Sequence, residues 1–415
     1  MTSGQFTTLF LVMLAMSVVL RIWLGRRHVA HVLRHRTQVP TAFANGITLE
    51  AHQRAADYTV AKNKVGMVDL VLGTIWLLAL TLGGGLQVLY DVLARWFDSN
   101  SIWHGVALFG VVGGLGFLYD LPLTLYRVFR LEERFGFNRT TPKVFATDLV
   151  KQTILAIVIG APLLWVVLWL MGRAGNLWWV WTWAFWLTVN LAAMVIYPIF
   201  IAPLFNKFEP LQDESLAERV RRLLQRCGFR AKGLFVMDGS KRSAHGNAYF
   251  TGFGAGKRIV FFDTLLSSLV PDEIEAVLAH ELGHFKHHHL WKRLAVIGTG
   301  SFLLLALLGY LAGEPWFYQG LGVATQSNAL ALLLFSMVLP VFMFLLSPFM
   351  SMWSRQHEFE ADNYATQHAK AADLVSALVK LYRDNAATLT PDPLHSLFYD
   401  SHPPAAIRIA RLQRQ

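Results

Sequence analysis

His280, Glu281 and His284 stand in the run His280-Glu281-Leu282-Gly283-His284, which fits the pattern H-E-x-x-H. Residues four apart share one face of a helix, so the two imidazoles can ligate one zinc ion. Glu281 then sits beside that ion, placed to deprotonate a bound water. Pro271-Asp272-Glu273 reads as the start of the helix that the spacing requires. Two histidines do not complete a catalytic zinc site, which needs a third protein ligand and leaves its fourth position to water. The single cysteine, Cys227, excludes a thiolate site and any internal disulfide, so further ligands must be His or carboxylate. Cys227 itself reads as a buried structural thiol.

The best candidate for the third ligand lies in Arg355-Gln356-His357-Glu358-Phe359-Glu360-Ala361-Asp362. Glu358 and Asp362 are four apart, which puts both carboxylates on one helical face. Glu358 can ligate the ion, and Asp362 can accept a proton from the far nitrogen of a ligating histidine and so fix its orientation. Glu360 is expected to point away into solvent. A charged face on an exposed helix is the plainer account of this segment alone. The H-E-x-x-H run on the same side of a membrane favours the metal reading.

That membrane follows from composition. The chain is 54% hydrophobic with a mean hydropathy of +0.40, too apolar for an ordinary soluble protein. Apolar runs of about 20 residues, the length that crosses a bilayer, suggest spans at 6–25, 68–90, 103–122, 152–171, 177–202, 294–313 and 327–350. Asp120 and Pro122 interrupt the end of the third. Basic residues alternate between the connections, rich at 21–64, 127–151 and 207–293, and there is no Lys or Arg between Arg293 and Arg355. By the positive-inside rule the N-terminus is outside and the C-terminus and the H-E-x-x-H helix are cytoplasmic. The net charge of +10 is then topological charge at an anionic membrane surface, and no nucleic-acid partner is expected.

The expected organisation is a membrane region over 1–202 with five spans and cytoplasmic loops near 26–66 and 123–150. A cytoplasmic segment carrying H-E-x-x-H follows over 203–292, then two spans over 293–350 and a helical cytoplasmic segment over 351–415. Asp213 to Cys227 has the pattern of an amphipathic helix. Leu234–Met237, Ala248–Phe250 and Ile259–Phe262 look like short strands, with a hairpin turn over 251–257. That glycine-rich turn departs from a phosphate loop at Thr251 and Arg258. His287, His288 and His289 are expected to be polar residues at the membrane surface. Gly110, Gly113, Gly114 and Gly116 are expected to let helices approach closely, and Asp69, Asp120 and Asn190 to face an interior cavity.

An ordered series of motifs resembles the type I CAAX prenyl proteases, integral-membrane zinc metalloproteases of the gluzincin type. It comprises Glu133–Thr140 (ERFGFNRT), Tyr197–Phe208 (YPIFIAPLFNKF), Asn247–Phe250 (NAYF), Lys257–Leu265 (KRIVFFDTL), the H-E-L-G-H run, Glu358–Asp362 (EFEAD) and Ser401–Pro404 (SHPP). The resemblance covers most of the chain. It implies an all-α polytopic membrane protein of seven helices forming a barrel around an intramembrane chamber, with a small α+β zincin-like cytoplasmic domain. It also implies one zinc ion per chain on His280, His284 and Glu358, with Glu281 as general base. Asn247 and His402 match residues that stabilise the oxyanion of the scissile carbonyl; Arg355 and Arg408 match residues expected to order carboxylates near the site.

The substrate implied is a peptide or protein, with or without a prenyl group. The resemblance is taken to be to a prokaryotic-type member, which would sit in the plasma (inner) membrane; a quality-control protease for membrane proteins without a prenyl requirement is the alternative function. A seven-span transporter, receptor or scaffold is the rival from another class; no internal symmetry supports it.

Overall fold

The computed structural model of the chain describes residues 1–251 and 258–414. Among them, seven helices are long and apolar enough to cross a membrane: Ser3–Arg34, Leu49–Leu80, Ile102–Glu132, Pro142–Arg173, Gly175–Phe205, His289–Leu311 and Asn328–His368. In chain order the helices begin with α1 (Ser3–Arg34), α2 (Leu49–Leu80), the short α3 (Gly85–Leu93) and α4 (Ile102–Tyr126). The fourth span joins α5 (Pro142–Leu155) to α6 (Ala161–Arg173), and the fifth joins α7 (Trp178–Ile196) to α8 (Ala202–Phe205).

Two expectations about these spans are corrected. The segments 26–66 and 123–150, expected as loops, are largely helical, because α1 runs to Arg34, α2 begins at Leu49 and α4 continues through a π-helical stretch at Arg127–Glu132. The second span, expected at 68–90, ends at Leu80. The glycines Gly83, Gly84 and Gly85 break it, with Gly84 in the left-handed region at φ 76°. Pro122 does not end α4, which runs through it. A Cβ placed on Gly110, Gly113, Gly114 or Gly116 would meet nothing within 4 Å, so these glycines mark no close helix approach. Contact falls instead at Gly105, where a Cβ would lie 2.8 Å from Leu168 and 2.9 Å from Ala329.

A span packed into a solid bundle buries a full face. Here only 11% of the apolar window of α2 and 6% of that in Gly175–Phe205 is buried, against 50% for the last span. Around Phe10, Leu86, Leu108, Leu330 and Leu334 the helices do close into an apolar core. Elsewhere a cavity of about 560 Å³ is lined by Arg21, Asn63, Asp69 and His395. Asp69 accepts from Arg127 Nη2 at 2.5 Å, Asp120 faces a second cavity, and Asn190 is bonded to the Trp186 carbonyl at 2.8 Å.

Beyond the fifth span come β1 (Phe208–Pro210), α9 (Glu214–Arg226), β2 (Gly233–Met237), β3 (Ala248–Thr251) and β4 (Arg258–Phe262). The sheet order is β1-β2-β4-β3, with β2 and β4 parallel and the outer pairs antiparallel. The three expected strands are present; β1 is additional, and most of the expected hairpin turn lies outside the described residues. Asp213 caps α9 by accepting from the Leu216 N–H at 3.0 Å, and Leu216, Val220, Leu223 and Cys227 are buried with Ile259 and Phe261 of β4. The chain continues through α10 (Asp263–Ser268), α11 (Pro271–Lys286), α12 (His289–Leu311), α13 (Pro315–Gln319), α14 (Asn328–Met343) and α15 (Ser347–His368). It ends with α16 (Ala371–Asp384), α17 (Pro393–Tyr399) and α18 (Ala405–Leu412).

Candidate active site

The H-E-x-x-H run lies in α11, and local chemistry starts that helix where the sequence suggests. Pro271 occupies its first turn, and the Glu273 carboxylate reaches back to accept from the Val270 N–H at 2.9 Å. Glu273 also accepts from Ser376 and, at 2.7 Å, from Lys380, tying the start of α11 to α16. Ile274, Leu278 and Leu282 bury one stripe of α11 in the core. The neighbouring stripe carries His280 and His284.

Glu358 and Asp362 come from α15, the rigid continuation of the last span. The two helices cross in backbone contact at Gly283, where a Cβ would stand 2.8 Å from Ala361 Cα and 3.0 Å from its carbonyl oxygen. Ala361 sits between the two carboxylate residues, so this glycine sets the distance at which Glu358 meets the histidines. Gly283→Val would push the helices apart. Overpacking of this kind costs about 1–3 kcal/mol, and metal affinity is expected to fall about tenfold or more as the donors separate. Thermal unfolding and metal titration of the purified variant check this; a variant with wild-type affinity contradicts it.

The donors form a tight triangle. His280 Nε2 lies 3.3 Å from His284 Nε2 and 3.5 Å from Glu358 Oε2, while His284 Nε2 is 3.4 Å from Glu358 Oε1. A tetrahedral centre with zinc–nitrogen bonds of roughly 2.0–2.1 Å needs edges of about 3.4 Å. Glu358 meets the two histidines through different oxygens, and one donor atom from each of the three residues lies within 4.8 Å of the others, close enough for one such centre. Glu358 Oε2 is buried without a hydrogen bond among the described residues; His280 Nε2 and Arg408 Nη1 stand 3.5 Å from it, and it keeps lone pairs that a cation would accept. The residues present fit the ion.

Both imidazoles are held from behind. His280 Nδ1 lies 2.9 Å from Asp362 Oδ1, and Arg408 donates to both Asp362 oxygens at 2.6 and 2.9 Å. His284 Nδ1 lies 2.9 Å from His289 Nδ1, whose ring in turn meets Glu360 Oε2 through Nε2 at 2.8 Å. If His289 donates to Glu360, its Nδ1 accepts from His284, leaving the His284 Nε2 lone pair directed to the triangle. Burial would lower the pKa of His280, but the Asp362 and Glu358 carboxylates beside it raise it to about 9. Burial and the His280 charge lower that of His284 to about 3. A metal held here would need both imidazoles neutral, so its binding would compete with the proton on His280.

Glu281 faces the same cavity as His280, Glu358, Asn247, His402 and Arg408. Burial, reinforced by the Glu358 charge, holds its carboxyl above the usual carboxylate range, which suits a group that must take up a proton. His402 Nε2 lies 3.4 Å from Glu358 Oε1, and its side chain is 63% exposed to the cavity and beyond. Asn247 precedes the edge strand β3, its side-chain oxygen accepting from the Ala248 N–H at 2.8 Å.

Three expectations fail here. Glu360 does not point into solvent but pairs with His289. His289 is buried behind His284 rather than lying at the membrane surface. No spacing rule could have found this pair, because His288 adopts a left-handed φ of 56° and breaks the helical periodicity between α11 and α12. Arg355 pairs with no carboxylate among the described residues; it donates to the carbonyls of Ser396 and Asp400, fixing the end of α17 from which His402 follows.

Comparison with known proteins bears on this geometry. Residues 28–207 match the family model for the CAAX prenyl protease N-terminal region of five membrane helices, and residues 210–415 match peptidase family M48. CAAX prenyl protease 1 of Saccharomyces cerevisiae is 34% identical over 410 residues, 91% of this chain and 88% of that protein. The Caenorhabditis elegans homolog is 31% identical over 98% of this chain and 97% of its own length. The crystal structure of S. mikatae Ste24p superposes with a TM-score of 0.92 at 31% identity, covering 98% of this chain and 99% of that one. These relatives are eukaryotic and lend the expectation of a prokaryotic-type member no support. Two family models that together span nearly the whole chain, with relatives matched end to end, assign it: the chain belongs to the CAAX prenyl protease family of M48 membrane peptidases.

Proposed function

We propose that the chain is a zinc-dependent endopeptidase that cuts prenylated proteins near their C-terminus. The observation that carries this reading is the meeting of His280, His284 and both Glu358 oxygens at 3.3 to 3.5 Å, with Glu281 on the same cavity wall. His280, His284 and Glu358 would hold one zinc ion. When bound, it would supply Lewis-acid polarisation of the peptide carbonyl and acidify a water molecule.

The chain's own residues do the rest. Glu281 takes a proton from the attacking water and returns it to the leaving amine. Asn247 and His402 donate to the oxygen that becomes negative as the carbonyl turns tetrahedral. Asp362 and His289 hold the two imidazoles with their Nε2 atoms inward, and Arg408 offsets the charge of the two carboxylates beside it. The substrate lies extended against β3. Phe262 N donates to the Asn247 carbonyl at 3.0 Å, so strict antiparallel alternation leaves the Ala248 carbonyl and the backbone groups of Phe250 on the open edge, the Ala248 N–H being held by Asn247 Oδ1. The site faces the cytoplasm, with the N-terminus outside, as the distribution of basic residues indicates.

The names of the relatives motivate the prenyl requirement, and a matched pair of peptides tests it. A farnesylated C-a-a-X peptide is expected to be cleaved about tenfold or more faster than its unprenylated twin by the detergent-purified protein, measured as kcat/KM. Equal rates would replace this reading by a peptidase acting on membrane-associated chains without regard to the lipid.

A further inference from the structure

We infer that a second cavity beyond Asn247, built around Arg139 and Ser243, binds the free C-terminal carboxylate of the substrate and so selects bonds close to a chain end. The inference rests on the endopeptidase reading above and adds what defines the far end of its substrate.

The cavity has a volume of about 420 Å³ and shares Gly246 and Leu381 with the wall of the catalytic cavity. Its position follows the direction of the edge strand. β3 runs from Ala248 to Thr251, and a peptide added antiparallel to it runs the other way, its C-terminal side passing Asn247 and Gly246. Antiparallel addition is the more stable of the two polarities per residue. At about 3.4 Å per residue, a leaving segment of two or three residues that starts opposite Ala248 extends past Gly246, which lines both cavities.

The groups at that mouth suit a carboxylate. Arg139 lines the cavity, and its guanidinium makes no hydrogen bond or ion pair with any described residue. Most hydroxyls there are already committed: Thr264 donates to the His245 carbonyl, Ser267 to that of Thr264 and Ser268 to that of Leu265. Ser240 is engaged by Asp263. Ser243 differs, since its Oγ only accepts, from the His245 N–H at 3.2 Å, and keeps its proton to donate. Asp384, the acidic lining residue, is held by Arg383 Nε at 2.7 Å.

Arg139 and Ser243 are also fixed relative to one another. Asn138 and Ser243 form a β-bridge, Arg139 N donates to the Arg242 carbonyl at 3.1 Å, and Thr140 Oγ1 donates to the same carbonyl at 3.1 Å. Arg242 is anchored by Asp148 through two bonds of 2.7 and 2.9 Å. A guanidinium and a hydroxyl that line one cavity from a braced backbone present the donors that a carboxylate accepts.

The test compares one peptide sequence ending in a free carboxylate with the same sequence ending in an amide, using the full chain in detergent. Wild type is expected to favour the acid by about ten- to a hundred-fold in kcat/KM, with the difference in KM. Arg139→Gln is expected to lose that preference by slowing the acid alone, Arg139→Lys to restore part of it, and Ser243→Ala to weaken it without affecting the amide. Equal cleavage of acid and amide by wild type overturns this inference alone, as does a parallel loss on both peptides in Arg139→Gln. Failure of wild type to cleave either peptide overturns the endopeptidase reading and this inference with it.

Discussion

Glu281→Gln is expected to abolish peptide cleavage while leaving the metal in place. The two consequences separate because Glu281 is not one of the three donors within 4.8 Å of one another; it stands one residue along α11, facing the same cavity. Glutamine keeps the volume and the polar contacts but cannot take a proton at the moment water attacks. General-base catalysis contributes about 10²- to 10⁴-fold, and kcat is expected to fall by that factor with KM little changed. Elemental analysis of the purified variant beside a cleavage assay checks both halves. A variant cleaving within a factor of a few of wild type would remove Glu281 from the chemistry.

Replacing Glu358 gives the opposite pattern, with metal and activity lost together. In Glu358→Ala the histidines keep their supports from Asp362 and His289, yet the face of the triangle that carries the negative charge is gone. Outer partners of metal ligands are worth about 10- to 100-fold in affinity, and a direct ligand is expected to exceed the upper end of that range. Zinc titration with a competing chelator reads the loss. Arg408, which lies 3.5 Å from Glu358 and is bonded to Asp362, stays paired, so the variant is expected to fold. A Glu358→Ala protein that holds zinc as tightly as wild type would mean that the third ligand lies elsewhere.

The contrast between these two residues shows what the sequence makes legible. Spacing along a single helix is visible in a string of letters, so His280, His284 and the pairing of Glu358 with Asp362 can be read directly, and the contact of Asp362 with His280 follows from them. The number of spans is legible too, because twenty apolar residues leave the chain few other fates. What escapes is whatever depends on two segments meeting. Gly283 is an unmarked position within the motif until Ala361 is seen against it. His289 and Glu360 lie 71 residues apart, on either side of a backbone break that no period crosses. Hydropathy also cannot see that α1, α2 and α4 extend as helices beyond the apolar runs, where polar side chains tie them together, as when Tyr58 of α2 donates to Glu132 in the continuation of α4 at 2.5 Å.

The most direct test of the central claim is the zinc content per chain of the wild-type protein, measured together with peptide cleavage before chelation, after it, and after zinc is restored. The account predicts one equivalent of zinc, loss of cleavage when it is removed and recovery when it returns. Undiminished cleavage by the zinc-free protein would contradict it.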